Sequence, residues 1–363
     1  ILPGDGIGQE VMAAAMPIFD LLDIPTEITA GDIGWQCWQR EGNPIPARTW
    51  DLIKQADAVL LGATTSKPEK EAYKELAPAL QASRPPYVSP IIQLRQKLDL
   101  YANIRPCYNI KDSGEHFSFT VIRENTEGLY AGLDYYPLTP DLHSVIKDSP
   151  RWQHLADPQD AACSLRLQSR VGLKRLFEFA FEHAKRENFH RVTFADKPNV
   201  LRKSSAFARE IFEEVAAKYP NIKADIHNVD AVALWMVKRP SEFGVIVAEN
   251  MFGDILSDLG AGVMGGLGLA ASANIGAKGC YFEPVHGSAP NMKPNRANPS
   301  AMFLTIALML KHFGYDEKAK QITTAVQQVI KQEKSLTYDL GGNASTEEMA
   351  QAILEKFVKP EIT

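Results

Sequence analysis

The sequence is poor in cysteine: four in 363 residues, Cys37, Cys107, Cys163 and Cys280, far apart and with no Cys-x-x-Cys pair. That scatter excludes a disulfide framework and the common zinc spacings, and leaves reduced core thiols as their reading. No apolar run approaches the roughly 20 residues that cross a bilayer. No signal segment precedes the first apolar run either, so a cytoplasmic protein with no membrane partner is expected. An excess of positive charge is missing too: 39 Lys+Arg stand against 44 Asp+Glu, interspersed, for a net charge of −5. A nucleic-acid backbone therefore finds no basic stripe to follow. Repeats and low-complexity segments are absent, which excludes solenoids and arrays. One glycine is lacking where it would matter most. The opening "ILPGDGIGQE" runs from an apolar pair into a glycine turn, but the dinucleotide fingerprint Gly-x-Gly-x-x-Gly, counted from Gly4 and Gly6, requires a glycine where Gln9 stands.

What is present is an ordinary globular composition, 45% hydrophobic and 23% charged, in a chain long enough for two domains. Through the first hundred residues short apolar runs alternate with amphipathic ones: "ILPGD", "QEVMAAAMPIFDLL", "PTEITAGDI", "ARTWDLIKQA", "DAVLLGA". That rhythm predicts strand–helix units and an α/β sheet covered on both faces. Beyond residue 100, "FSFTVIREN" reads as a strand, residues 138–160 as a Pro- and Asp-rich connection, and "DAACSLRLQSRVGLKRLFEFAFEHAKREN" as a helix. After a Gly/Ala-rich passage near residue 265 come three further helical stretches.

Three groups of residues carry chemistry. Asp254 and Asp258 in "NMFGDILSDLGAG" are four apart on a helical stretch, so both carboxylates leave one face. Two hard oxygen ligands suit Mg²⁺ or Mn²⁺, although by itself the same spacing is more often a solvated helix start. Arg95 and Arg105 bracket "LRQKLDLYANIRP" and Arg123 begins "RENTEGLYAG". Guanidinium forks grip carboxylates in pairs, so three suggest a di- or tricarboxylate, while singly each would read as a surface ion pair. Tyr130 follows Arg123, and Lys197 lies in "ADKPNV" at a strand end, where catalytic groups of α/β proteins commonly sit. Alone, they would be a core tyrosine and a solvated lysine.

The motifs "GDGIGQE", "LDLYANIRP", "RENTEGLYAG", "DKPNV", "NVDAVALWMV", "NMFGDILSDLGAGVMGGLG", "EPVHGSAP", "ANPSAM" and "TYDLGGNAST" fall in one order along the chain. In this the sequence resembles the isocitrate and isopropylmalate dehydrogenases, metal-dependent β-decarboxylating dehydrogenases, from the first residues to about residue 350. The resemblance implies a two-domain α/β fold with a large mixed sheet flanked by helices, not a Rossmann fold. It implies a discontinuous large domain, residues 1–100 plus 265–363, holding the cofactor, and a small domain, 101–264, carrying metal and substrate residues and a homodimer interface. Arg95, Arg105 and Arg123 would clamp the malate carboxylates. Asp254 and Asp258, with Asp230 of the partner chain, would hold Mg²⁺ or Mn²⁺. Lys197, also from the partner, would assist deprotonation of the C2 hydroxyl, and Tyr130 would handle the proton at C3. Glu283, His286, Gly287, Ser288, Ala289, Asn291 and Asn298, with Asn199, would bind the cofactor. The chain has Asn291, Met292 and Gly342 where NADP-using isocitrate dehydrogenases carry a Lys-Tyr pair and an arginine, although Tyr338 is retained, so NAD is expected.

The same resemblance places substrate choice just before the first clamp arginine, in "VSPIIQLR". Isocitrate dehydrogenases present Ser-x-Asn there and a lysine on an earlier strand; this chain keeps Ser89 but has Ile91 and Leu61. Homoisocitrate relatives have an arginine where Ile92 stands, and bacterial isopropylmalate dehydrogenases an acid where Val88 stands. An unpaired carboxylate against apolar side chains costs several kcal/mol, whereas an alkyl group gains ~0.8 kcal/mol per buried CH₂. The expected activity is therefore NAD-dependent oxidative decarboxylation of a 3-substituted (2R)-malate such as 3-isopropylmalate. Isocitrate, homoisocitrate, tartrate and D-malate are the rival substrates. A non-catalytic subunit would be expected to lose Tyr130, Lys197 or a metal aspartate, and all are present.

Overall fold

A computed structural model describes residues 1–111, 116–150, 152 and 157–359. Its strands are β1 (Leu2–Gly4), β2 (Val59–Ala63), β3 (Ala102–Tyr108), β4 (Ser118–Glu124), β5 (Asp134–Tyr135), β6 (Cys163–Ser164), β7 (Arg191–Asp196), β8 (Lys223–Asn228), β9 (Val245–Ala248), β10 (Ala271–Ile275) and β11 (Cys280–Pro284). Nine of them form one sheet, ordered β1-β2-β11-β10-β3-β4-β9-β7-β8, and β5 and β6 pair separately. Strand β10 runs antiparallel to β11 and β3, and β3 to β4; the remaining pairs of the large sheet are parallel. The mixed α/β sheet expected from the sequence is therefore what the chain forms.

Helices cover both faces, which is why "VLLGA" of β2 and "VIVA" of β9 are apolar without interruption and buried throughout. Alternate residues of one strand feed different cores. Val245 and Val247 pack with Phe177, Phe181 and Phe212 of the helices Arg170–Arg186 and Arg202–Ala216. Ile246 and Ala248 pack on the other face with Met236 and Leu256 of the helices Val229–Lys238 and Asn250–Met264. A larger cluster joins the first helix, Ile7–Ala15, to the three C-terminal ones. Among the described residues no helix is long and apolar enough to cross a membrane.

Two features position the site. First, the registers Arg123↔Ala248, Ala195↔Ala248 and Asp196↔Asn228 bring the carboxyl ends of β4, β9, β7 and β8 to one edge. The chain leaves that edge as Glu249, Lys197 and, two residues beyond Asn228, Asp230. Second, the opening glycine turn is stitched to the loop after β11. The Ile7 amide donates to the Ser288 carbonyl at 3.0 Å, and the Thr65 and Ser288 hydroxyls lie 2.7 Å apart. The Glu10 carboxylate accepts from the amides of Asn295, Arg296 and Ala297 at 2.7, 3.1 and 3.1 Å. The first helix's N-terminus is thus spent on a loop rather than open to a pyrophosphate.

Gly6 sits at φ 53°, ψ −130°, and a Cβ there would fall 2.2 Å from the Ser288 carbonyl oxygen. Gly6→Ala is expected to destabilise by roughly 1–3 kcal/mol or more through backbone strain and displacement of the loop. Gly287→Ala, where a Cβ meets nothing within 4 Å, should change stability by less than about 0.5 kcal/mol. Urea denaturation of both variants checks this, and equal effects would contradict the stitched turn.

Candidate active site

Cross-strand register lays a polar row over the middle of the sheet. Arg123 of β4 stands opposite Asn103 of β3, Asn103 opposite Asn274 of β10, and Asn274 opposite Tyr281 of β11, so all four share one face. Arg105, Ser272 and Glu283, each two residues along, join them. Asn103 Nδ2 donates to Ser272 Oγ at 2.6 Å and Asn274 Oδ1 at 2.9 Å, and Asn125 Nδ2 donates to the same Asn274 oxygen at 2.7 Å. These amides are buried and hydrogen-bonded to one another, with Asn125 Oδ1 left without a partner among the described residues.

The Asn250–Met264 helix lies across this row. Gly253 permits the approach, since a Cβ there would meet Arg123 Cβ at 2.7 Å. Arg105, 8% exposed, donates through Nε to Asn103 Oδ1 at 2.9 Å and through Nη1 to Ser257 Oγ at 2.7 Å and Asp258 Oδ1 at 2.8 Å. Its Nη2 is 3.7 Å from Asp254 Oδ1. Arg123, 3% exposed, donates through Nε and Nη2 to Asn250 Oδ1 at 2.9 and 2.8 Å and through Nη1 to the Asp254 carboxylate. Burial, with Arg95 and Arg105 close by, pushes Arg123 down to about 10 against the pull of Asp254. Three guanidinium groups are crowded here against three acids, Asp254, Asp258 and Glu283, and they can receive further negative charge where those acids take another partner.

Tyr130 stands over this cluster with its ring centroid 5.6 Å from the Arg123 guanidinium carbon. Partial burial and then the Asp254 charge raise its hydroxyl above the ordinary tyrosine value, so it carries its proton at neutral pH. Arg95 Nη2 lies 3.9 Å from Glu283 Oε1, which also accepts from Asn274 Nδ2 and the Tyr281 hydroxyl, both at 3.1 Å. Arg95 belongs to the helix Pro90–Lys97, which starts at Ser89. Ile92 in its first turn is 45% exposed, while Ile91 packs on an apolar cluster. Leu61, expected to border the substrate, is instead wholly buried inside that cluster with Tyr281 and Leu94.

Lys197 and Asp230 form an ion pair with each other. Among the described residues no three acids, histidines or cysteines of one chain gather as a metal site, so Asp230 does not join Asp254 and Asp258 within a single chain. Asp254 and Asp258 remain partly exposed, two hard oxygen donors that suit Mg²⁺ or Mn²⁺. Asn199 lies exposed on the turn after Lys197.

On the other side, the loop after β11 carries His286, Gly287, Ser288, Ala289 and Asn291. Burial lowers the His286 pKa, and its Nδ1 lies 3.0 Å from the Gly287 carbonyl. Ser288 is buried, Ala289 takes φ +42°, and Gly287 and Asn291 are exposed. Asn298 donates through Nδ2 to Asp339 Oδ2 at 2.9 Å and accepts from the Ser300 amide at 2.9 Å. The motif reading overlooked Arg296, whose guanidinium carbon lies 5.7 Å from the Tyr338 ring. It also overlooked Asn103, Asn250, Ser272, Asn274 and Tyr281. Polar residues at alternate positions of otherwise buried strands, in "YANIRP" and "AASANIG", were the available signal.

The family description "Isocitrate/isopropylmalate dehydrogenase" matches residues 1–353. A protein named DlpA from Legionella pneumophila is 61% identical over 355 residues, an alignment covering 98% of this chain and 58% of that protein. The chain thus spans a little over half the length of that relative. The 3-isopropylmalate dehydrogenase of Methanothermobacter thermautotrophicus is 39% identical over 357 residues, covering 97% of this chain and 96% of that enzyme. Among solved structures, isocitrate dehydrogenase from Methylococcus capsulatus superposes with a TM-score of 0.84 at 36% identity, covering 98% of each chain.

If Asp254 and Asp258 hold a divalent cation, MnCl₂ should raise the melting temperature of the wild type, by the equivalent of about 2.7 kcal/mol at 100 times the dissociation constant. Asp258→Asn should lose most of that gain. Differential scanning calorimetry reads both, and an equal Mn²⁺ response in the variant would exclude Asp258 as a ligand.

Proposed function

The chain belongs to the isocitrate/isopropylmalate dehydrogenase family, and from that premise we propose that it catalyses NAD-dependent oxidative decarboxylation of a 3-alkyl-(2R)-malate, 3-isopropylmalate or a close analogue. The products would be a 2-oxo acid and carbon dioxide. The observation that carries this reading is the pairing of Arg105 and Arg123 with Asp254 and Asp258. A malate dianion can take the guanidinium forks while the two acids turn to a divalent cation, so the charges added sum to zero in a desolvated site.

The residues then have separable tasks. Arg95, Arg105 and Arg123 orient both carboxylates, which places C2 for hydride loss. Lys197 of the partner accepts the C2 hydroxyl proton as that hydride leaves. When the carboxyl group departs from C3 as carbon dioxide, its bonding electrons remain on the substrate, and Tyr130, held protonated, supplies the proton to C3. NAD, when bound, would supply the hydride acceptor, and a Mg²⁺ or Mn²⁺ held by Asp254, Asp258 and the partner's Asp230 would supply positive charge to the C2 oxygen. Ile92, exposed at the start of the Arg95 helix, offers apolar surface to an alkyl substituent.

A homodimer with shared sites belongs to the same proposal. Leu234, Val237 and Ile255 are exposed on the adjoining helices Val229–Lys238 and Asn250–Met264, an apolar face suited to a second copy. The four free thiols fit a reducing cytoplasm.

An assay of NADH formation with Mn²⁺ across 3-isopropylmalate, isocitrate, homoisocitrate, D-malate and tartrate, with NAD and with NADP, tests the reaction. Turnover of the alkylmalate with NAD is expected; turnover of isocitrate alone would overturn the substrate assignment. Subunit sharing has its own test: mixing inactive Lys197→Ala and Asp254→Ala proteins should restore part of the activity after subunit exchange. No recovery despite exchange verified by mass spectrometry would exclude a shared site.

A further inference from the structure

Arg166 lies outside every motif above, on the segment bridged to Gly128 through Leu167. We infer that it is a positioning residue that holds parts of two active sites in register, an inference that rests on the function proposed above. Its guanidinium is wedged between two almost fully buried carboxylates, Asp196 at 1% and Glu249 at 2% side-chain exposure. Nη2 donates to Asp196 Oδ1 at 3.0 Å, and Nε lies 3.7 Å from Glu249 Oε2. The Phe252 ring centroid is 5.3 Å from the guanidinium carbon.

Each acid stands next to a different part of the machinery. Asp196 ends β7 and directly precedes Lys197. Glu249 caps the Asn250–Met264 helix, accepting from the Phe252 amide at 3.2 Å through its other oxygen, Oε1. That helix carries Asp254 and Asp258. One guanidinium therefore hydrogen-bonds the strand end bearing the proton acceptor and stands as the buried counter-charge, without a hydrogen bond between them, to the acid that caps the helix bearing the metal acids. Gly128, at φ +86°, makes room for the arrangement, since a Cβ there would fall 2.5 Å from Glu249 Oε2.

Two carboxylates this deeply buried cannot share a neighbourhood without a cation between them. If stability alone were served, apolar side chains of similar volume would do as well. A buried cation draws both acids toward one point, with a directed hydrogen bond at Asp196 and charge alone at Glu249, and both acids sit where placement matters. In the proposed dimer Lys197 acts in the neighbour's site and Asp254 and Asp258 in their own. Arg166 thus joins the two sites through one side chain.

The test uses Arg166→Met and Arg166→Lys in the full chain, with two readouts. Amide hydrogen exchange should quicken in Arg166→Met at both residues 197–201 and 250–254. Its kcat should fall roughly 10- to 100-fold, as when groups behind metal ligands are removed, with the KM for NAD changed less than about twofold. Arg166→Lys, which keeps the charge without the fork, should recover part of kcat. Faster exchange in only one segment, unchanged kcat, or no recovery of kcat in Arg166→Lys would each overturn the inference. Exchange requires no turnover, so failure of the substrate assay is distinguishable from failure here.

Discussion

Two guanidinium groups buried among strands need negative partners, and the placement of those partners organises the centre of the molecule. Arg105 and Arg123 project from neighbouring strands onto one face, and the acids that answer them, Asp254 and Asp258, are one turn apart on a single helix. The helix must therefore lie across β3 and β4, and Gly253 lets it come close enough. The amide row Asn103, Asn274 and Asn125 extends the polar floor to β10, which joins the C-terminal part of the chain to the middle part. A buried ion-pair network of this kind is weak evidence for stability. Its use, in the function proposed, is that the acids and the forks can change partners together when a cation and a dianion arrive.

Much of this was legible in the sequence, for physical reasons that differ by element. Uninterrupted apolar runs such as "VLLGA" and "VIVA" signal strands covered on both sides, and they are. The four-residue spacing of Asp254 and Asp258 signals one helical face, and both do meet arginines from it. What could not be read is lateral order. Nothing local in "AASANIG" says that β10 inserts antiparallel between β3 and β11, so the Asn103–Asn274 contact, 171 residues apart in the chain, was out of reach. The depth of Leu61 was out of reach for the same reason, because how far a strand residue is buried depends on which helix covers its face. Arg166 follows a Pro- and Asp-rich connection, and only the fold reveals the two acids on either side of it.

The glycine turn shows how a familiar local pattern can serve a different end. "GDGIG" does end β1 and start a helix, as a nucleotide-binding turn would. The residue that breaks the fingerprint, Gln9, turns back and donates to the Gly4 carbonyl at 2.7 Å. The helix's first amide and the Glu10 carboxylate hold the loop carrying His286, Ser288 and Asn298. The turn is a brace for the proposed cofactor loop.

Partner exchange at the arginines predicts that cation and dianion bind as a pair, each strengthening the other by the same factor. Isothermal titration of Mn²⁺, with and without saturating 3-isopropylmalate and in the absence of NAD, measures that coupling directly. The account predicts Mn²⁺ binding at least about tenfold tighter with the hydroxy acid present, or about 1.4 kcal/mol of coupling. Equal Mn²⁺ affinity in the two titrations would contradict it.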